Sequence, residues 1–227
     1  MRVDYEILVP GNNLALQDGF LGLSSIVWVT TPDGPLLFDT GHHTTKSMLL
    51  KGLRRQGCDP GDVPTVVLSH LHFDHANNLE IFPHARVYVS AREAAYAADP
   101  HPDDLYVPGH LLGQLAAMDA VYLESEGEIA PGVRWIACPG HTPGLIALVL
   151  EDTPHGCVVL ASDAIKTAKE AIDRRCDLAF DTPEAGTASI DRILEIADRI
   201  VPGHFPEMIR TPRGWTWDNA QFPLLVR

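Results

Sequence analysis

The sequence predicts a layered α/β fold. Short β-branched and apolar runs come in consecutive groups, amphipathic helical stretches separate those groups, and 18 glycines and 18 prolines are spread along the chain as tight connections. The 227 residues suit one domain covering residues 1 to 227. A chain of this length buries enough apolar surface to fold without disulfide staples.

Residues 26 to 30 and 36 to 38 read as strands joined by the turn Pro32-Asp33-Gly34-Pro35. A helix is expected from about residue 44 to 56, with Gly57 as its C-terminal cap. The run Thr65-Val66-Val67-Leu68-Ser69 is of buried-strand type and leads directly into a histidine cluster. Residues 86 to 90 form another strand, and the alanine-rich stretch 91 to 98 a helix. Residues 99 to 114 are rich in Pro, Gly, Asp and His, which suits a loop lying over a site. Three strands follow, at 133 to 138, 145 to 150 and 157 to 161. Thr182 caps a helix with Pro183 at its first position. In that helix Ile190, Ile193, Leu194 and Ala197 recur at helical spacing, giving one core-facing stripe. The apolar pair Ile200-Val201 then ends in Pro202-Gly203-His204.

The formal net charge of −13 repels polyanions, and the densest basic clusters, Lys51 with Arg54-Arg55 and Arg174-Arg175, are short. The expected partner is therefore a small-molecule substrate and not nucleic acid. No apolar run approaches the roughly 18 to 20 residues that span a bilayer, so no membrane partner is expected. The N-terminus lacks the basic-then-apolar pattern of a signal peptide. Cys58, Cys138, Cys157 and Cys176 show no CxxC pairing and read as reduced thiols, which points to the cytoplasm.

Eleven histidines are present, and their placement matters more than their number. In His70-Leu71-His72-Phe73-Asp74-His75, four of six residues are of ligand type. Residues two apart on a strand share a face, so His70 and His72 can converge on one cation. Asp74 and His75 lie past the start of the turn and can face a second. Imidazole and carboxylate are natural ligands for borderline cations such as zinc. Three further strand ends add His141 in Pro139-Gly140-His141-Thr142-Pro143-Gly144, Asp163 after Leu160-Ala161-Ser162, and His204. The set then holds five histidines and two aspartates, the number two metals share if one carboxylate bridges them. His42 and His43, which follow Asp39-Thr40-Gly41, are placed with Phe73 along the site. Tyr106 and His110 of the covering loop are placed as substrate contacts, as His101 can be, whereas His84 and His155 are flanked by turn residues and read as solvated.

The segments HLHFDH, PGHTPG, Ser162-Asp163, the final Pro202-Gly203-His204 and the early Asp39-Thr40-Gly41 occur in an order that resembles the metallo-β-lactamase-fold hydrolase superfamily, from about residue 24 to 206. The resemblance implies an αββα four-layer sandwich, with two mixed sheets face to face, helices outside and the metals at one edge. It implies that His70, His72 and His141 hold one metal, that Asp74, His75 and His204 hold the second, and that Asp163 bridges them. Asp39 would orient a ligand imidazole from behind. The implied cofactors are two divalent metal ions, zinc first, with iron or manganese as alternatives. In the implied dinuclear zinc hydrolase, a metal-bridging hydroxide attacks a carbonyl, and Asp74 accepts a hydrogen bond from it.

HLHFDH with a downstream PGHTPG is most similar to the acyl-homoserine lactonase branch, so a lactone or another small ester is the leading substrate. The chain departs from that branch at Lys166, where the branch carries a tyrosine three residues after the bridging Asp. A lysine there can stabilise a developing oxyanion or grip a carboxylate, the alternative being a solvent-facing helix residue. Asn77-Asn78 replaces a common Gly-Gly and is compatible with the same turn. Competing activities are a glyoxalase-type thioester hydrolase, a mono-iron persulfide dioxygenase, and a phosphodiesterase or ribonuclease. The first usually adds a C-terminal helical domain, for which the stretch after His204 is short. The last is disfavoured by the −13 charge. Loops 10 to 24, 99 to 120 and 205 to 220 carry Phe20, Leu21, Leu111, Phe205, Met208, Trp215 and Trp217. These suit a pocket wall, a core or a contact between two copies, which leaves a homodimer open.

Overall fold

The structure, a computed structural model, describes residues 2 to 218. The chain starts with β1 (Asp4–Val9) and a small hairpin of β2 (Ala15–Leu16) and β3 (Gly19–Phe20), neither of which the sequence reading anticipated. β4 (Ile26–Thr31) and β5 (Gly34–Phe38) form the expected hairpin around Pro32-Asp33. A 3₁₀ turn over His43–Thr45 opens into α1 (Lys46–Arg55). Gly57 ends that helix at φ +68°, its N–H bonded to Arg54 O at 3.1 Å, a conformation that an L side chain adopts only at a cost.

β6 is shorter than the β-branched run, covering only Thr65–Val67. Ser69 has left the ladder: its N–H donates to the Asp39 carboxylate at 2.7 Å, and its carbonyl accepts from Ile146 N of the other sheet at 3.0 Å. His70 and His72 therefore stand on an extended crossing segment and not on a strand, and Asp74 and His75 on the single-turn helix α2 (Phe73–Ala76). β7 (Arg86–Ser90) runs into α3 (Ala91–Ala98), capped by Ser90 Oγ accepting from Glu93 N at 3.2 Å. The end of the expected covering loop is helical: α4 (Leu111–Ala116) buries Leu111 and Leu115, one turn apart, against the first sheet. β8 (Asp119–Leu123) and β9 (Gly127–Ala130) follow, then β10 (Val133–Ala137), β11 (Ile146–Thr153) and β12 (Gly156–Ser162). α5 (Ala168–Asp173) and the Thr182-capped α6 (Pro183–Ile196) precede β13 (Arg199–Pro202), β14 (Met208–Thr211) and β15 (Gly214–Trp217). The stretch 205 to 220 is thus largely a hairpin, with its last two positions outside the described residues.

Two mixed sheets result. The first has the order β1-β4-β5-β6-β7-β8 and the second β15-β14-β13-β12-β11-β10-β9. Parallel pairing joins β5 to β6, β6 to β7, β7 to β8 and β12 to β13. Strand periodicity sorts the apolar side chains into three layers. In β4, Ile26 and Trp28 face α1 and α4, while Val27 and Val29 face the other sheet. In β11, Ala147 and Val149 face α5 and α6, while Ile146, Leu148 and Leu150 face inward. Apolar side chains on both faces of a sheet require a cover on both, and the αββα sandwich supplies it. Phe205, Trp215 and Trp217 pack on the outer helix-sheet layer, with Phe205 and Trp217 rings 5.2 Å apart.

Leu148 is fully buried between the sheets. Leu148→Ala should lower the unfolding free energy by about 2 to 5 kcal/mol, read as a shifted denaturant midpoint with unchanged far-UV circular dichroism. An unshifted midpoint would mean that the sheets do not rely on this contact.

Candidate metal centre

All seven expected ligand residues meet at one edge of the sandwich, and all are buried. Their ligating atoms form three overlapping groups, each within 4.8 Å: His70 with His72 and His141, His70 with His75 and Asp163, and Asp74 with His75 and His204. Asp163 straddles the groups. Its Oδ2 lies 3.3 Å from His141 Nε2, while Oδ1 lies 3.3 Å from His75 Nε2 and 3.4 Å from His204 Nε2. Asp74 Oδ2 lies 3.3 Å from His204 Nε2 and 3.8 Å from His75 Nε2.

Each imidazole is held from behind, which fixes its direction and favours the tautomer with its proton on the outer nitrogen. His75 Nδ1 donates to Asp39 Oδ2 at 2.9 Å, and His70 Nδ1 to Ser69 Oγ at 2.9 Å, whose own proton goes to Asp39 at 2.8 Å. His141 Nδ1 donates to Leu178 O at 3.0 Å and His204 Nδ1 to Leu23 O at 3.1 Å. His72 Nε2 donates to Asp104 Oδ2 at 2.9 Å. With the outer nitrogens of His72 and His141 carrying the protons, their inner nitrogens present lone pairs to one another. His72 Nδ1 and His141 Nε2 sit only 3.0 Å apart in that state, an arrangement that a cation between them satisfies. His70 Nε2, His75 Nε2 and Asp163 Oδ1, one of the three groups, are buried without a hydrogen-bond partner in the protein. The donor set of imidazoles and carboxylates fits divalent cations of the zinc type.

Two features that the sequence did not reveal hold the ligand loops in place. Glu93 of α3 is fully buried; its Oε1 accepts from Leu71 N at 2.9 Å, and its Oε2 from Thr142 Oγ at 2.7 Å and Gly144 N at 3.2 Å. One carboxylate thereby clamps the His70–His72 segment to the loop of His141. Gly144 sits so close that a Cβ would fall 2.0 Å from Glu93 N. Gly203 is equally constrained, since a Cβ there would meet Asp163 Oδ1 at 1.9 Å. The helical position of Glu93 was legible, but its partners are remote in sequence.

The protein's own charges split the cluster. Burial pushes the His70 and His141 imidazoles well below their usual range, aided by His75 beside the first and Lys166 beside the second. Burial acts the same way on His75 and His204, but the carboxylates outweigh it. Asp163 with Asp74 and Asp39 holds His75 well above its usual range, and Asp163 with Asp74 holds His204 at about 9. Asp74, although burial raises it, is drawn down to about 2 by His75 and His204.

A cavity of about 200 Å³ opens over the cluster, walled by Phe20, Phe73, Tyr106 and Leu178 with Lys166 at one side. Lys166 is half-buried: its side chain is 16% exposed, but its Nζ is buried 2.6 Å from Glu170 Oε1, so its amine does not face solvent. Phe73 and Tyr106 lie in the wall, as expected of substrate contacts, whereas His42, His43 and His110 do not. His42 packs edge-on against Phe73 with ring centroids 5.0 Å apart, His43 is exposed, and His110 is exposed at the start of α4. His84, His101 and His155 are exposed.

Cations bind imidazole only in its deprotonated form. At pH 7 the raised His75 and His204 retain their protons, so loading zinc there should release protons, and affinity should climb with pH towards about 9. Calorimetry in buffers of different ionisation enthalpy reads this directly; binding without proton release at pH 7 contradicts it.

A family model described as the metallo-beta-lactamase superfamily matches residues 19 to 204. The chain is 35% identical over 180 residues to metallo-beta-lactamase domain-containing protein 1 of Xenopus laevis, covering 78% of this chain and 70% of that protein. It is 31% identical over 216 residues to an N-acyl homoserine lactonase of Bacillus thuringiensis, covering 84% and 83%. The crystal structure of a quorum-quenching N-acyl homoserine lactone lactonase superposes with a TM-score of 0.70 at 26% identity, over 90% of this chain and 92% of that one.

Proposed function

Because the chain belongs to the metallo-beta-lactamase superfamily, a family of hydrolases whose fold and His/Asp cluster imply divalent metal ions, we propose that it is a dinuclear zinc hydrolase acting on a lactone or a similar small ester. The observation that carries this reading is a seven-residue His/Asp cluster, five members of which line a small cavity that Lys166 also lines. The identity to a lactonase over most of both chains supports the choice of substrate class.

His70, His72 and His141 would hold one cation in this reading and Asp74, His75 and His204 the other, with Asp163 placed between the two groups. The bound pair supplies Lewis acidity and lowers the pKa of water. Asp74 accepts a hydrogen bond from the attacking water and orients it towards the acyl carbon. Lys166, steadied by Glu170 at 2.6 Å, donates to the acyl oxygen as negative charge develops there. Phe20, Phe73, Tyr106 and Leu178 take the apolar part of the ester and exclude bulk water, which strengthens each polar contact beneath them. A cavity of about 200 Å³ suits a small acyl compound better than a polymer.

The test is a hydrolysis screen of zinc-loaded protein against lactones, simple esters, thioesters, β-lactams and phosphodiesters. The highest kcat/KM is expected on a lactone; a higher value on a phosphodiester or thioester would replace the substrate assignment. His72→Ala and Asp163→Ala should each abolish turnover and lower bound zinc with circular dichroism unchanged. Either variant retaining full activity and normal metal content refutes the ligand set. Lys166→Ala should lower kcat on the best ester by roughly 100-fold, as for loss of one oxyanion donor. Unchanged kinetics would leave Lys166 as no more than a structural partner of Glu170.

A further inference from the structure

Four of the five clustered imidazoles point Nε2 inward and are held through Nδ1; His72 is reversed, with Nδ1 inward and Nε2 held by Asp104 at 2.9 Å. Asp104 lies in the segment that connects α3 to α4 and brings Tyr106 into the cavity wall. Of residues 99 to 110, Asp104 alone is buried; Leu105 beside it is 85% exposed. The segment is therefore anchored chiefly by one carboxylate. That carboxylate accepts from Tyr96 Oη at 2.6 Å, from Tyr106 N at 3.0 Å and from His72. Tyr106 O in turn accepts from Phe73 N at 2.9 Å, next to His72 in the chain.

A cation on Nδ1 leaves a neutral imidazole one place for its proton, Nε2, where Asp104 accepts it. Without that cation His72 has two tautomers, and only one of them can donate to Asp104. We propose that Asp104 is a positioning residue coupling the cation group of His70, His72 and His141 to the wall segment 99 to 110: a cation there orders the wall, and the anchored wall tightens that cation. The coupling is reciprocal by thermodynamic necessity. Tyr96 shares α3 with Glu93, three residues away, so one helix grips Leu71 directly and His72 through Asp104. This inference rests on the metal-centre reading above.

The full chain is compared as wild type, Asp104→Ala and Tyr96→Phe. Zinc affinity is measured by chelator competition, and exchange of residues 99 to 110 by hydrogen–deuterium mass spectrometry with and without zinc. In the wild type, zinc should slow exchange in this segment. Asp104→Ala should weaken one of two zinc ions roughly 10- to 100-fold, leave the other unchanged, and abolish the exchange response. Tyr96→Phe keeps the carboxylate and should give a smaller shift of the same sign; it decides the matter if Asp104→Ala fails to fold. Wild-type zinc affinity in these variants, or exchange in the wild type that ignores zinc, overturns the coupling alone. A wild type that binds no zinc overturns the metal-centre reading and the coupling with it.

Discussion

The carboxylate of Asp39 ties the two sheets together at the edge where the candidate ligands gather. It accepts from Ser69 N, Ser69 Oγ and His75 Nδ1 at 2.7 to 2.9 Å, and Ser162 Oγ of the second sheet stands 3.1 Å away. Such a buried charge is tolerable only when fully hydrogen-bonded, so its partners must all be in register together. The backbone yields to meet this demand. Asp39 and Ser162 both take positive φ, +62° and +46°, a conformation costing of order 1 to 3 kcal/mol for residues other than glycine. Strain of this kind persists where the surroundings over-determine it. Here the surroundings are the exits of β5, β6 and β12, which deliver Asp39, the His70 segment and Asp163 to one place.

A second layer of constraint comes from α3, whose Glu93 carboxylate fastens Leu71 to the Thr142-Gly144 loop. The two carboxylates work from opposite sides. Asp39 aims the imidazoles of His70 and His75, and Glu93 fixes the backbone on which His70, His72 and His141 ride. Neither need touch a substrate for the geometry of the centre to depend on it.

Much of this was legible in the sequence because strand ends announce themselves. An apolar β-branched run stopping at His, Asp or Pro-Gly-His marks a place where the chain leaves the sheet with a polar side chain to bury, as at Ser69-His70, Ser162-Asp163 and Gly203-His204. The Thr182-Pro183 helix start was equally local. Local signals failed where pairing is remote. β1 and β15 are edge strands and β14 is only four residues long, while α4 hides inside a segment whose Pro, Gly and Asp speak of a loop. Nothing within a few residues of Asp104 or Glu93 tells that its carboxylate will meet His72 or Leu71 across the fold. His42, His43 and His110 were credited by proximity in sequence, but none of them lines the cavity.

The candidate ligands are shared unequally between the sheets. His70, His72, Asp74 and His75 follow β6 of the first; His141, Asp163 and His204 follow β10, β12 and β13 of the second. The centre therefore works as a gauge block set across a sliding joint. Any shear of one sheet past the other is read there as a change in spacing between its two jaws, and a misplacement of about 1 Å can cost a reaction two orders of magnitude. The packing of Val27, Leu148 and Leu160 between the sheets thus sets the machining tolerance of the reaction chamber.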